Sequence, residues 1–128
     1  MNNKHLILLV DDEQEILDLY TTVLNNADLE TITALNGQEC LDKVKGPVKP
    51  DLILLDLKMP VMDGIETLTR LKENPETKDI RVVFLTAFSD PVFVGIDQKL
   101  AKDAGAIDFI KKGIDLNEVV EKVKGYLK

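Results

Sequence analysis

Three aspartates stand where apolar segments of this sequence end. Asp11 and Asp12 directly follow the run Leu6–Val10, and Asp56 directly follows the run LILL at residues 52–55. Adjacent carboxylates repel one another and gain nothing from burial, so this placement calls for a compensating partner. Oxygen ligands without histidine or cysteine favour Mg²⁺, with Ca²⁺ and Mn²⁺ as less suitable ions. The alternative is that all three aspartates are solvated residues at loop starts.

A hydroxyl and an ammonium group follow two later apolar runs. Thr86 ends the run VVFLT, and the pair Lys111 and Lys112 follows AIDFI. Taken singly, such a threonine is usually a turn residue and such a lysine is usually solvated. Together, one divalent cation and one lysine would neutralise three carboxylates. That site could receive a phosphoryl group, whose oxygens need cationic and hydrogen-bonding partners.

Strand-like apolar runs alternate with amphipathic helical segments along the whole chain. The predicted strands are His5–Val10, Glu30–Ala34, Asp51–Leu55, Val82–Leu85 and Ile107–Ile110. The first helical segment has an apolar face formed by Ile16, Leu17, Tyr20, Val23 and Leu24. Strict alternation predicts an α/β fold with a doubly wound, five-stranded parallel sheet of order 2-1-3-4-5, because five units are too few for an eight-stranded barrel. Strands one and three are then neighbours, so the three aspartates should converge at the carboxyl ends of the strands.

Composition excludes several classes of function. The 128 residues are 45% hydrophobic, which fits one compact domain over residues 1–128. The formal net charge of −7 argues against direct binding of nucleic acid or anionic membranes, and neither a membrane span nor a signal peptide is expected. A single cysteine, Cys40, excludes an internal disulfide, fits a cytoplasmic protein and is predicted to be a core residue. His5 lacks histidine or cysteine companions, so no zinc site is expected.

The ordered set of motifs resembles the receiver domain of two-component response regulators over essentially the whole chain. The motifs are the acidic pair after strand one, DLKMPVMDG after strand three, TA after strand four and FIKK after strand five. The resemblance implies a flavodoxin-like receiver fold that takes a phosphoryl group from a sensor histidine kinase or phosphotransfer protein. The phosphorylated domain would then switch conformation to control an output partner or an attached output domain. It would be a monomer or a weak phosphorylation-dependent dimer, catalysing only its own phosphorylation and dephosphorylation.

The resemblance also implies roles for the acidic residues and their neighbour. Asp56 would be the phospho-acceptor, attacking the phosphorus of a phosphohistidine to give an aspartyl phosphate. Asp12 would bind Mg²⁺ directly, and Asp11 would act mainly through water. Asp56 and the backbone carbonyl of Lys58 would complete the protein's share of the coordination.

Residues at the ends of strands four and five would bind the phosphoryl group and transmit the switch. Thr86 would hydrogen-bond a phosphoryl oxygen and be drawn inward by it. Lys112 would pair with the acids before phosphorylation and with the phosphoryl group afterwards. The family lysine lies three residues after an aromatic residue, here Phe109, and this spacing selects Lys112 over Lys111. Phe109 would be the switch aromatic that turns inward with Thr86.

The resemblance also implies that two residues determine the lifetime of the phosphorylated state. In the family, residues two beyond the acceptor and two beyond the threonine flank the path of the hydrolytic water. Here these residues are Lys58 and Phe88, and neither offers the acid or amide that can orient water. The sequence therefore predicts slower dephosphorylation than in relatives with polar residues at both positions.

The chain departs from the family pattern around Lys112 and in the segment before strand five. Gly113 replaces a proline that often follows through a cis bond, so a trans bond is expected here. Phe109 replaces the commoner tyrosine and lacks its hydroxyl. The stretch Thr86–Gly105 is about one helical turn longer than usual, which predicts a long or displaced helix and loop within Phe88–Asp103.

Three other functions fit parts of the pattern. A receiver that is never phosphorylated could serve only as a docking module. A phosphatase of the haloacid-dehalogenase type also uses an aspartate nucleophile, but it needs a second acid where this chain has Lys58. A flavodoxin-like carrier of FMN needs a phosphate-binding first loop, whereas DDEQE at residues 11–15 would repel phosphate.

Overall fold

The computed structural model describes residues 4–87 and 102–128 as a parallel sheet covered by helices on both faces. The strands are β1 Leu6–Val10, β2 Glu30–Ala34, β3 Leu52–Asp56, β4 Arg81–Thr86 and β5 Asp108–Lys111. The helices are α1 Gln14–Asn26, α2 Gly37–Lys43, α3 Gly64–Glu73 and the C-terminal helix Leu116–Tyr126. The strand order is β2-β1-β3-β4-β5, and every pairing is parallel. The predicted doubly wound α/β fold is therefore confirmed.

The central strands are apolar throughout because both of their faces are buried. Successive side chains of a strand point to opposite faces, so each strand supplies two layers of the core. Leu8 and Val10 of β1 pack with residues of α2 and α3. Ile7 and Leu9 of the same strand pack with residues of α1 and the C-terminal helix. Packing on both faces therefore fixes the position of the carboxyl edge of the sheet, which is the edge where the parallel strands end.

The first and third strands begin one residue later than predicted. Leu6, not His5, begins β1, and Leu52, not Asp51, begins β3. Asp51 instead ties the two strand starts together: its backbone N–H donates to Leu6 O at 2.8 Å. Its Oδ2 accepts a hydrogen bond from Leu6 N at 2.8 Å. The side chain therefore serves as a clamp at this edge of the sheet.

The last two strands reach further toward the carboxyl edge than predicted. β4 runs from Arg81 to Thr86, one residue longer at each end, and β5 is shifted by one residue from the predicted Ile107–Ile110. The pairing of Thr86 with Lys111 explains the shift, because it extends the ladder to the end of both strands. Lys112 consequently leaves the sheet directly at its carboxyl edge.

The start of α3 is built against the strand that carries Asp56. Asp63 caps the helix by accepting a hydrogen bond from Glu66 N at 2.8 Å. Gly64 N donates to Leu57 O at 2.8 Å. A Cβ atom on Gly64 would lie 2.5 Å from the backbone oxygen of Asp56, so only glycine permits this approach. Asp63 and Gly64 therefore fix the backbone beside Asp56.

Cys40 lies in α2 with no exposed surface. Burial raises the pKa of its thiol to about 12, so the thiol is protonated at neutral pH. The prediction that Cys40 is a core residue is confirmed.

The helix predicted within Phe88–Asp103 falls almost entirely outside the described residues and stays a prediction. Among the described residues, no helix has both the length and the apolar character that crossing a membrane requires.

Candidate functional site

The carboxyl edge of the sheet brings three carboxylates together. Asp11 directly follows β1, and Asp56 is the last residue of the neighbouring strand β3. One carboxylate oxygen from each of Asp11, Asp12 and Asp56 lies within 4.8 Å of the others. Asp11 and Asp56 are 0% and 4% exposed, whereas Asp12 is exposed. The cluster is therefore two buried acids with a third at the solvent side.

Lys112 enters this cluster from the loop after β5. Its Nζ lies 2.7 Å from Asp11 Oδ2 and 3.2 Å from Asp56 Oδ1. Its backbone N–H donates to Thr86 O at 2.7 Å, which anchors the start of the loop to β4. Lys111 pairs with Thr86 in the ladder and its side chain is exposed. The structure thus brings Lys112, rather than Lys111, to the aspartates.

The buried charges alter the protonation of Asp56. Burial, followed by repulsion from Asp11, raises the pKa of Asp56 to about 7. The Lys112 ammonium and a hydrogen bond from the Lys58 backbone act in the opposite direction. Burial lowers the pKa of Lys112, but its ion pairs with the two carboxylates outweigh this and hold the pKa above its ordinary value. The ammonium therefore stays charged at neutral pH, while Asp56 needs further positive charge to be fully ionised.

The donor atoms at this site suit a hard divalent cation. All three acidic side chains offer oxygen, and the described residues place no histidine or cysteine among them. Asp11 Oδ1 accepts a hydrogen bond from Glu13 N at 2.9 Å, which fixes the carboxylate plane. Asp11 Oδ2 is buried, and its partner is the Lys112 ammonium at 2.7 Å. Three clustered carboxylates that offer only oxygen donors fit Mg²⁺.

Thr86 and Phe109 lie on the same face of the sheet. Thr86 ends β4, is 2% exposed and donates a hydrogen bond from Oγ1 to Ala87 O at 3.3 Å. In the parallel ladder Phe84 pairs with Phe109, and Thr86 pairs with Lys111. Paired residues share a face, and alternate residues of a strand return to it. The half-buried Phe109 therefore lies along the face that Thr86 occupies at the edge.

Only one of the two positions predicted to control hydrolysis lies among the described residues. Lys58 lies two residues beyond Asp56, and its side chain is exposed. Its backbone already contacts the Asp56 carboxyl group through the hydrogen bond described above. Phe88 lies outside the described residues.

Gly113 gives the lysine loop a backbone path that proline cannot follow. Its φ is +94°, in the region that favours glycine, whereas proline is fixed near −65°. The described residues contain no cis peptide bond, in agreement with the trans bond expected after Lys112. The replacement of the family's proline by Gly113 is therefore accompanied by a backbone conformation that proline cannot adopt.

Tyr20 is a polar group near the site that the sequence pattern did not reveal. It is 2% exposed, and its hydroxyl has no hydrogen-bond partner among the described residues. The charges of Lys112 and Asp11 both act on the phenol, although burial is the main reason that its pKa is raised. The spacing of Tyr20 from Leu17 and Leu24 marks the buried face of α1, which explains why the pattern identified it only as a core residue.

Comparison with known proteins agrees with this geometry. A model of the response regulator receiver domain matches residues 7–124. Sporulation initiation phosphotransferase F of Bacillus subtilis is 40% identical over 127 residues, which are 99% of this chain and 95% of that protein. The polar-differentiation response regulator DivK of Brucella anthropi is 31% identical over 94% of each chain. The structure of the Vibrio cholerae chemotaxis protein CheY4 superposes with a TM-score of 0.85 at 26% identity, covering 97% of this chain and 99% of that one. With its strand order and clustered aspartates, this chain belongs to the response regulator receiver domain family.

Proposed function

We propose that Asp56 accepts a phosphoryl group from a phosphohistidine on a sensor histidine kinase or phosphotransfer protein. An ionised Asp56 oxygen attacks phosphorus, the bond from phosphorus to the imidazole nitrogen breaks, and the imidazole leaves with the electron pair. The observation that carries this proposal is the placement of a nearly buried carboxylate 3.2 Å from the Lys112 ammonium at the edge of the sheet.

Lys112 contributes a fixed positive charge to the transfer. Its ammonium is already oriented by Asp11 and Asp56, so little reorganisation is needed when charge builds on the phosphoryl oxygens. It also favours the ionised form of Asp56, which is the nucleophile. The Lys58 backbone hydrogen bond acts in the same sense.

Mg²⁺ is the proposed cofactor, held by the carboxylates of Asp11, Asp12 and Asp56 and by the backbone carbonyl of Lys58. When bound, it supplies the charge that neutralises the acidic cluster and the incoming phosphoryl oxygens. The oxygen-only donor set and the clustering of the three carboxylates within 4.8 Å of one another support this assignment.

The proposed switch starts at Thr86. Its hydroxyl donates to Ala87 O over 3.3 Å, a long bond that a phosphoryl oxygen can replace with a stronger one. Movement of Thr86 inward would free space on its face of the sheet, toward which Phe109 can turn. The new surface would be read by an output partner or an attached output domain.

Phosphorylation with a small-molecule donor tests the function and the acceptor together. Acetyl phosphate and magnesium chloride are expected to add one phosphoryl group, located at Asp56 by peptide mass spectrometry. Asp56→Asn should take up none, because an amide is not a nucleophile of comparable strength. Asp79→Asn, an exposed aspartate in the described residues, is the matched control and should react like the wild type.

Two outcomes of that experiment would contradict the proposal. Uptake by Asp56→Asn at the wild-type rate would show that another residue is the acceptor. A wild-type protein that accepts no phosphoryl group from acetyl phosphate or from phosphorylated histidine kinases would instead favour a receiver that serves only for docking.

Slow loss of the phosphoryl group is a further expectation at Asp56. The proposed flanking residues, Lys58 and Phe88, cannot orient a water molecule through an acid or amide. Introducing such a group in Phe88→Glu or Lys58→Asn is expected to accelerate phosphate release by roughly 10- to 100-fold, the lower part of the general acid–base range. Phosphate release is followed with time after removal of the donor. Equal rates in the wild type and both variants would show that these side chains do not control hydrolysis.

A further inference from the structure

Val61 combines a strained backbone with a fully exposed apolar side chain. Its φ is +70°, in the left-handed region that favours glycine and is a genuine outlier for a β-branched residue. Asp28 is the other non-glycine residue with positive φ in the described part of the chain, and aspartate tolerates this conformation. Val61 is therefore a residue whose type conflicts with its backbone conformation.

The fold holds this strained turn in place through the residues around it. Met62 N donates to Pro60 O at 2.8 Å, which closes a three-residue turn around Val61. Both Met59 and Met62 are buried. Met62 lies against α2, because a Cβ atom on Gly37 would be 2.9 Å from Met62 Sδ. The loop is thus anchored on both sides of Val61, whose side chain is presented to solvent.

The fold gains nothing from the valine side chain at this position. Glycine or asparagine would adopt the same turn with less strain. Because Val61 is fully exposed, no packing among the described residues offsets the strain. Residues held in such conformations cluster at functional sites and ligand-binding surfaces. The choice of valine is explained if another molecule covers the side chain.

The loop that carries Val61 borders the proposed phospho-acceptor. It joins the carboxyl end of β3 to α3, so it lies at the carboxyl edge of the sheet. The Lys58 backbone bonds the Asp56 carboxyl group, and Gly64 packs against the backbone oxygen of Asp56. Val61 is three residues from both Lys58 and Gly64, so its Cα lies within about 11 Å of each of their Cα atoms.

A protein that donates a phosphoryl group to Asp56 has to cover this loop. Asp56 is 4% exposed, so a phosphohistidine reaches it only when the donor is seated on the carboxyl edge. Even a small transient interface covers about 600 Å² of each partner, a disc of about 14 Å radius. A donor centred on Asp56 therefore extends over the Val61 loop. An output partner has no comparable need to approach Asp56, because it recognises the changed surface and not the acceptor.

We propose that Val61 is a docking contact for the phosphohistidine-bearing protein, which presents an apolar surface beside its histidine. This inference rests on the proposed function of Asp56. The anchored turn holds the Val61 side chain in one orientation, so little freedom is lost when the donor covers it. A donor with a charged group at this point would bury that charge against valine without a partner. The contact therefore also discriminates between donors.

Val61→Asn separates docking from chemistry. Asparagine enters the left-handed region more readily than valine, so the urea midpoint should rise by about 0.5 M. The rate with acetyl phosphate should be unchanged, because this small donor needs no docking surface. With a protein donor, KM should rise about 10-fold, the lower part of the range for burying a valine side chain. The kcat should be unchanged, because Val61 does not touch the reacting atoms.

The protein donor is selected from a panel of phosphorylated histidine kinases and phosphotransfer proteins of the same genome, as the one that phosphorylates the wild type fastest. Val48→Asn is the matched control. Val48 is an exposed valine in the loop before β3, at the opposite edge of the sheet, and its replacement should leave KM unchanged. Val61→Ile keeps an apolar β-branched side chain and should also retain the wild-type KM.

The outcomes distinguish this inference from the proposed function. Equal KM values for the wild type and Val61→Asn, or an equal rise in Val48→Asn, would overturn the docking role and leave that of Asp56 intact. Equal slowing of Val61→Asn with acetyl phosphate and with the protein donor would assign the effect to the acidic site and also overturn docking. An unchanged or lowered urea midpoint would show that valine is not strained at this position, against the inference. A wild type that reacts with acetyl phosphate but with no protein donor would overturn docking alone, and one that reacts with neither would overturn both proposals.

Discussion

Replacing Lys112 with alanine is expected to slow phosphorylation of Asp56 by acetyl phosphate by about 100-fold or more. That is the usual effect of removing one fixed group that stabilises charge in a transition state. Lys112 is suited to this role because its ammonium lies 2.7 Å from Asp11 and 3.2 Å from Asp56 before any donor arrives. Its removal also leaves two buried carboxylates unopposed, which raises the pKa of Asp56 further and reduces the fraction of nucleophile.

The neighbouring lysine provides a matched control for this prediction. Lys111→Ala removes the same charge from an exposed side chain and should change the rate by less than about 3-fold, because water screens charges at exposed positions. The initial rate of phosphoryl uptake is measured in the presence of saturating Mg²⁺ for both variants. Equal rates for the two variants would show that proximity to the aspartates does not determine the contribution of Lys112.

The fold could be predicted because the sequence patterns that indicate its strands and helices are local and repeat along the chain. Each strand of the sheet is an apolar run bounded by polar or turn residues, and strict alternation with helices leaves few topologies. The errors were of one residue at strand ends, where pairing partners decide the limit. Asp51 illustrates this: its contacts with Leu6 across the sheet, not its own sequence context, keep it outside β3.

The site was predictable in part, because the carboxyl edge of a parallel sheet collects the residues that follow its strands. The choice of Lys112 over Lys111 required the spacing known from the family, since both follow the same strand. The conformation of Gly113 and the position of the Tyr20 hydroxyl depend on packing between distant segments. The apolar periodicity of α1 identifies its buried face but does not show where the hydroxyl of Tyr20 lies. The structure was therefore needed to locate this hydroxyl.

The stability of the metal-free protein should fall as the pH rises through the titration of Asp56. The pKa of this group is raised from 3.8 to about 7 in the folded protein. A raised folded-state pKa contributes stability that is fully present below the unfolded-state pKa and is lost as the pH rises through the folded-state value. The loss should therefore take place between about pH 4 and pH 7, because folding keeps the carboxylate buried beside Asp11.

The expected loss is about 2 kcal/mol. The full difference between 3.8 and about 7 would correspond to roughly 4 kcal/mol, but solvent at the open edge of the sheet screens part of it. Asp56→Asn cannot ionise, so its unfolding free energy should lack this component and should exceed that of the wild type above about pH 7. Urea unfolding in the presence of a chelator, at about pH 4 and about pH 8, measures the difference.

A charge-matched control separates this local effect from the general effect of net charge. Asp79→Asn changes the net charge by the same amount at an exposed position and should keep the wild-type pH dependence. If Asp56→Asn and the wild type lost stability equally between the two pH values, the titration of Asp56 would not be the cause of the loss. Agreement with the prediction would instead identify the acidic site as a strained feature of the metal-free fold, because the carboxylates required for phosphoryl transfer are held together at a cost in stability. The burial and repulsion that weaken the metal-free domain would then favour binding of a cation, which relieves both.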